Sequence, residues 1–312
     1  MAQDCTGRVV TRTSKTEADY ARRFPALQQA ARRDGYGVDM HQVIVWFSQQ
    51  HYCWAESTVR QYRAAIVYAV ERNMLDGEDC AVFIERLKEG PIPKNGGTKR
   101  TSARKRKSLK REEFLMLMQH LEGSDRSDDR LIRGLLAFGI ALFLRPVEYL
   151  GAHIDGDTLF VPNAKATNGR ANGEIRERSL DNMAPKTKAS LVKFLGHFSE
   201  AAAASESWKK FHDRLSSRLA RICKALGIRR VSLYTLRHVG MATAKTWMTP
   251  HEVAAAAGHA SVRTATSHYA KRRTGWHGLK LAGKPSARSL ALVGGEAKTF
   301  PVRDEKIRLY KG

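Results

Sequence analysis

One stretch of the chain, PIPKNGGTKRTSARKRKSLKR (Pro91–Arg111), has two prolines, two glycines, many Lys and Arg, and no acidic residue. Such a segment repels itself and has too little apolar surface to build a core, so it reads as an exposed linker. It divides the 312 residues into two parts, each of which must bury its own hydrophobic face. The organisation expected is a loose N-terminus over 1–15, a helical unit over 16–90, the linker over 91–108, a second unit over 109–276 and a tail over 277–312.

Charge narrows the partners. Lys and Arg number 54 against 31 Asp and Glu, a net charge of +23. An excess of that size concentrates phosphates at the surface, which makes nucleic acid the leading partner. An anionic membrane is the weaker choice, because no long apolar run or basic anchor helix is present. Within this picture the linker residues Lys99, Arg100, Arg104, Lys105, Arg106 and Lys107 form a strap for a phosphate backbone. A solvated basic run is the commoner meaning of such a segment taken alone. The four cysteines, Cys5, Cys53, Cys80 and Cys223, form no C-x-x-C pair, so neither a zinc site nor a disulfide framework is expected. With an N-terminus MAQDCTGRVV unlike a signal peptide, the expected location is the cytoplasm: nucleoid-associated in a bacterium, the nucleus in a cell that has one.

The first part carries helical patterns over 16–33, 39–51, 57–73 and 79–89. In the third, Ser57 stands as N-cap and Val59, Tyr62, Ile66, Val67 and Val70 share a face, leaving Arg60, Arg63 and Arg72 off it to meet phosphates. The second part opens with SLKREEFLMLMQHL, with Ser108 as N-cap and Glu112 and Glu113 in the first turns. DDRLIRGLLAFGIALFL (128–144) predicts a buried helix, and Thr158–Leu180 a β-hairpin around Asn-Gly turn signals. Helices follow over 186–203, 207–226, 235–247, 250–257 and 262–272, the fourth with Thr249, Pro250 and Glu252 as a capping box. The tail has no settled form. The fold class is therefore mainly α with a small β-hairpin or sheet.

Four spots in the second part carry chemistry. They are LFLRPVEYL with Arg145 and Glu148, PNAKATNG with Lys165, YTLRH with Tyr234, Arg237 and His238, and AAAAGHASVRTATSHYAKRR with His259, His268 and Tyr269. Taken singly, each has an ordinary reading. Arg145 and Glu148 make a structural ion pair, Lys165 is a solvated hairpin residue with Lys186 and Arg170 as rivals that rank behind it, His259 ends a helix, and Tyr269 packs in a core. Arg237, near the start of its helix, is either solvated or aimed at an anion.

Their order and spacing resemble the tyrosine recombinases, the phage-integrase family: an arginine after a buried helix with an acid three residues on, a hairpin lysine, H-x-x-R-H, G-H, and then a tyrosine. The resemblance covers about residues 109–275, and STVRQYRAAIVYAVERN is similar to the family's core-binding domain. It implies a two-domain C-shaped DNA clamp, a helical core-binding domain with an α+β catalytic domain. It also implies transesterification, in which Tyr269 attacks a DNA phosphodiester to leave a 3′-phosphotyrosine and a free 5′-hydroxyl. Arg145 and Arg237 would brace the non-bridging oxygens, Lys165 would protonate the leaving oxygen, and His259 would bond a phosphate oxygen. His238 and Glu148 would support the arginines. No metal or other cofactor is implied.

Two features depart from the family pattern. Tyr234 stands where the first histidine of H-x-x-R is usual, and His268 rather than Tyr269 falls nine residues after His259. Tyr269 is preferred as nucleophile because the chemistry needs a phenol and loops accept insertions. The resemblance implies a site-specific recombinase or integrase serving integration, excision or transposition of a mobile element. It would be a homotetramer on synapsed sites and a monomer or weak dimer when free, with the tail packing on a neighbour. The alternatives are a DNA-binding protein with a degraded site, and a type IB topoisomerase or telomere resolvase.

Overall fold

The computed structural model describes residues 12–72, 77–88, 90–93, 106–166, 171–279 and 283–295. The chain is mainly helical and divides into two compact units, residues 1–105 and 106–312.

The first unit holds α1 (Ser14–Arg33), α2 (Met40–Gln49), α3 (Glu56–Arg72) and α4 (Gly77–Lys88). Side-chain oxygens start the first two: Thr13 accepts from the Thr16 amide and Asp39 from the Gln42 amide. Leu27, Ile44, Phe47, Val59, Ile66, Val70 and Leu87 form the core, and Trp46 is fixed in it by an indole N–H bond of 2.7 Å to Asp34. The apolar face expected for α3 is the one buried, with Tyr62 and Val67 at its margin. Ser57 is not the cap. The helix begins at Glu56, and the Ala55 carbonyl accepts from the Thr58 and Val59 amides, which puts Ser57 inside the first turn.

The second unit begins with α5 (Arg111–Glu122) and the buried α6 (Ser127–Leu142). Ser108 does not cap α5. That place falls to Lys110, whose amide donates to the Glu113 carboxylate at 3.0 Å. At the end of α6, Phe143 turns left-handed (φ 42°) and the chain enters a short 3-10 turn, Pro146–Leu150. Three antiparallel strands follow in the order β1 (His153–Asp155), β2 (Thr158–Pro162) and β3 (Ile175–Ser179). The hairpin expected over 158–180 is β2 and β3, and β1 adds a strand the sequence pattern did not mark. Leu159 pairs with Arg178 and Val161 with Arg176, all four buried. The inward face of β3 is therefore arginine.

Helices α7 (Pro185–Ala203), α8 (Trp208–Ala225), α9 (Leu233–Ala244), α10 (Pro250–Ala256) and α11 (Val262–His268) complete the unit. An amphipathic helix was expected at α9. Instead α9 packs against α6 and is buried nearly all round, leaving Tyr234 and His238 the accessible side chains. The helix ends at Ala244, so Trp247 lies beyond it. The capping box of Thr249 and Glu252 is present as expected. Beyond the second unit's helices, residues 283–295 are not a loose tail. Lys284 and Ser286 hydrogen-bond along the free edge of β3, α12 (Ala287–Ala291) follows, and Val293 enters the core.

Candidate active site

Arg237, fully buried on α9, is the hub. Its Nη1 donates to the Phe143 carbonyl and its Nη2 to the Ala257 carbonyl, both at 2.7 Å. Those acceptors are the left-handed residue after α6 and the last residue before Gly258, so the ends of two helices fix the guanidinium plane. Nη2 also meets His259 Nε2 at 3.1 Å, and Nε donates to the Tyr269 hydroxyl at 3.1 Å. Four of the five N–H directions of an arginine are thereby committed.

Glu148 lies behind this group at 2 % exposure. It accepts from the Arg145 side chain at 2.5 Å, the Arg145 amide at 2.7 Å and Arg176 Nη2 at 2.7 Å, with Arg237 Nη1 at 3.8 Å. Burial alone would raise its pKa, but the charges of Arg176, Arg237 and Arg145 outweigh that and hold it well below the ordinary carboxylate range. Three guanidinium groups thus share one carboxylate in a buried cluster. Arg145 Nε is buried without a hydrogen-bond partner. The net charge of the cluster is positive, which suits it to a further anion.

His259 is set by a glycine. Gly258 has φ +71°, and a Cβ there would lie 2.2 Å from the Asn163 side-chain oxygen. The Gly258 amide bonds the Ala255 carbonyl and the His259 amide bonds the Ala254 carbonyl, closing α10 and delivering the imidazole to Arg237. Burial, then the Arg237, Arg145 and Arg176 charges, hold His259 well below the usual imidazole pKa. Its Nδ1 is buried and unpartnered. Burial and the charges of Lys107, Arg237 and Lys245 likewise take His238 down to about 4.

Helix α11 ends at His268 rather than running to 272, and Tyr269 is its C-cap. The Tyr269 ring lies 5.1 Å from the Arg237 guanidinium carbon, and its hydroxyl lies 2.8 Å from that of Tyr234. Burial raises the Tyr269 pKa. The Arg237 charge, the hydrogen bond shared with Tyr234 and the Arg145 charge together more than reverse this, so it falls below the ordinary phenol value. The His268 side chain lies outside the described residues.

Arg145, Glu148, Tyr234, Arg237, His238, His259 and Tyr269 therefore form one cluster. Lys165 stands apart from it in these contacts, exposed in the turn after β2. The Asn163 side chain donates to Asn172 and to the Gly173 carbonyl and accepts from Arg176, and Ala164 N approaches Glu148 at 3.3 Å, so the base of that turn is tied to the cluster. Of the expected phosphate strap, Lys99, Arg100, Arg104 and Lys105 lie outside the described residues. Arg106 is used internally: it bonds the Ser108 and Arg229 carbonyls and the Glu113 carboxylate, which corrects its expected role as a free DNA contact. Lys107 is half-buried, Arg60 is exposed, and Arg63 is half-buried with its Nε unpartnered.

The sequence reading missed Arg176, Arg178 and Lys245. Arg178 donates to the Leu142 and Gly283 carbonyls and lies over the Phe143 ring. Lys245 donates to the Ala270 carbonyl, next to Tyr269, at 2.9 Å. The signal for the two arginines was the hairpin register, which sets them opposite Val161 and Leu159 on the buried face. Among the described residues no group of three His, Cys, Asp or Glu is placed to hold a metal ion, and no helix is long and apolar enough to cross a membrane.

No family model and no curated protein sequence matches the chain. Solved structures do. One is XerH site-specific recombinase bound to palindromic difH substrate in a post-cleavage complex, at 17% identity and TM-score 0.45, covering 75% of this chain and 70% of that one. Another is a lambda integrase dimer bound to a COC′ core site, at 13% identity and TM-score 0.47, covering 86% and 75%. A third is XerA recombinase, at 14% identity and TM-score 0.35, covering 80% and 92%. These structures are all of tyrosine recombinases, the family that the ordered motifs of this chain resemble.

Proposed function

We propose that the protein is a site-specific DNA recombinase or integrase that cuts and rejoins strands through a covalent 3′-phosphotyrosine on Tyr269. One observation carries the reading: the Tyr269 hydroxyl sits on Nε of a buried arginine whose Nη2 also holds His259, beside a second arginine on the shared carboxylate. A phenol lowered in pKa is a nucleophile. The positive cluster around it answers the charge that gathers on phosphate oxygens in the transition state.

In this mechanism the scissile phosphate enters beside Arg145, and Tyr269 attacks with its oxygen still on Arg237 Nε, which passes to a phosphate oxygen only as the new bond to phosphorus forms. The Tyr269 oxygen bonds phosphorus while the bond from phosphorus to the 5′-oxygen breaks. Lys165, carried in on the β2–β3 turn, gives its proton to the departing oxygen. Such a positioned acid is worth about 10²–10⁴ in rate. Glu148 holds the arginines, His238 packs against the Tyr234 and Tyr269 rings, and neither takes a proton. The two units would close on the duplex as a clamp, with the linker crossing it, and recombination would proceed in a homotetramer on two synapsed sites.

The test is a library of nicked duplexes with randomised sequence around the nick. Incubation with the wild-type chain should yield a denaturation-resistant protein–DNA adduct on a selected sequence, absent for Tyr269→Phe. Binding without any adduct would instead favour a recombinase-like DNA-binding protein.

A further inference from the structure

We propose that Tyr234 is a catalytic residue of the nucleophile itself: its phenol donates a hydrogen bond to the Tyr269 oxygen and, with Arg237 Nε, holds that oxygen as the attacking phenolate. This deepens the reading above and rests on it for the identity of the nucleophile. The Tyr234 side chain is turned to Tyr269.

The geometry is specific. Tyr234, Arg237 and His238 share one face of α9, and the two phenol oxygens lie 2.8 Å apart with their rings inclined by only 25°. Arginine can only donate, so Arg237 Nε, 3.1 Å from the Tyr269 oxygen, fills one of its lone pairs. When the pair loses one proton, the proton that remains lies between two oxygens. The arginine donor stands on Tyr269, so the charge settles there and Tyr234 keeps its hydrogen, which must then point at Tyr269. The phenolate thereby has two fixed donors.

The surrounding groups agree with that placement. Burial raises both phenols, but the Arg237 charge and the Tyr234 bond bring Tyr269 down, whereas Tyr234 stays above the ordinary value. His238 lies 5.2 Å from the Tyr269 ring and 5.5 Å from Tyr234, and His259 5.1 Å from Tyr269. Both imidazoles are held neutral near pH 7, so neither competes for the charge. Lys107 acts on His238, Lys245 bonds the Ala270 carbonyl, and Glu148 is engaged behind Arg237. Tyr234 is the more exposed phenol, at 36%. The Tyr269 proton leaves to solvent water on that side. In the attack the Tyr269 oxygen bonds phosphorus, the 5′-oxygen departs with the Lys165 proton, and Tyr234 retains its own proton throughout.

Two readouts on the full chain test this. Tyr234→Phe should slow adduct formation near neutral pH by about ten- to a hundredfold, as expected for losing a hydrogen bond to a charged acceptor. The loss should shrink as pH rises, because the remaining defect is in ionisation. Independently of DNA, the ¹³Cζ tyrosine NMR signal assigned to Tyr269 by its absence in Tyr269→Phe should titrate at higher pH in Tyr234→Phe than in wild type. Circular dichroism checks the fold, and Tyr234→Leu, which also lacks the donor, gives the same comparison should the phenylalanine variant not fold. An equal rate loss at every pH with the Tyr269 titration unmoved would overturn the proposal and make Tyr234 a phosphate contact. An unchanged rate would overturn it as well. If no chain forms an adduct, the proposed function fails, while the titration still decides the pair.

Discussion

Arg176 Nη2 lies 2.7 Å from Glu148 Oε2, and both side chains are wholly excluded from solvent. The contact joins the inward face of β3 to the turn that carries Arg145, and the same carboxylate faces Arg237. Glu148 is therefore the counter-charge on which three buried guanidinium groups depend.

Removing that carboxylate should destabilise the second unit. Glu148→Ala is expected to cost about 3–5 kcal/mol, the penalty of leaving buried charge unpaired, and to lower the thermal midpoint. Urea unfolding monitored by fluorescence measures it. An exposed ion pair such as Lys209–Asp213, removed in the same assay, should leave stability nearly unchanged.

Acid stability draws on the buried imidazoles His238 and His259, both lowered in the folded chain, and on lowered carboxylates of which Glu148 is the most buried. The unfolded chain takes protons on His238 near 6.5, whereas the folded chain resists until about 4. Its contribution is therefore complete above 6.5 and disappears as pH falls toward 4. Glu148, whose folded pKa lies far below 4.5, contributes stability that is present above 4.5 and is lost on further acidification. Thermal melts across pH 7 to 3 should show the wild-type midpoint falling in both windows. His238→Asn should make the upper window shallower, with the remainder due to His259, and Glu148→Gln should make the lower one shallower.

Gly258 tests how the G-H turn positions the hairpin. Gly258→Ala meets both a left-handed φ of +71° and the Asn163 oxygen 2.2 Å away, so it should destabilise by more than about 1 kcal/mol. Amide exchange should quicken around Asn163 and Ala164, at the base of the turn that carries Lys165.

Much of this site was legible in the sequence because its members sit at punctuated places. Arg145 and Glu148 follow the end of a long apolar run, Thr249 and Pro250 announce α10, and Gly258 marks its close. Other features were not legible. Arg176 and Arg178 occur in IRERSL, whose alternation on its own reads as an exposed strand; only pairing with Val161 and Leu159 turns the arginines inward. Ser57 and Ser108 were good caps in isolation, but each helix began where a neighbouring carbonyl or a Glu113 side chain met its amides first. The segment 283–295 has too few apolar residues to declare itself, and it is held by backbone bonds to β3 and by Asn172, which donates to the Ser289 carbonyl. The pairing of Tyr234 with Tyr269 depends on how α11 ends, and no local pattern encodes that.

DNA affinity should fall steeply with salt, as the logarithm of the binding constant against that of salt concentration gives a slope of about −0.9 per phosphate neutralised. Neutralising Lys99, Arg100, Arg104 and Lys105 together should make the slope shallower in filter-binding or anisotropy titrations. Arg106→Ala should act differently. It removes the bonds to Glu113 and to the Ser108 and Arg229 carbonyls, so it lowers the melting temperature more than the salt slope.

The central claim is that Tyr269 becomes bonded to DNA phosphate. Trapping the adduct on a nicked duplex, digesting protein and DNA, and mapping the nucleotide-bearing peptide by mass spectrometry tests it most directly. The account predicts a nucleotide joined through its 3′-phosphate to Tyr269. A nucleotide on Tyr234 or His268, or one joined through a 5′-phosphate, would contradict it.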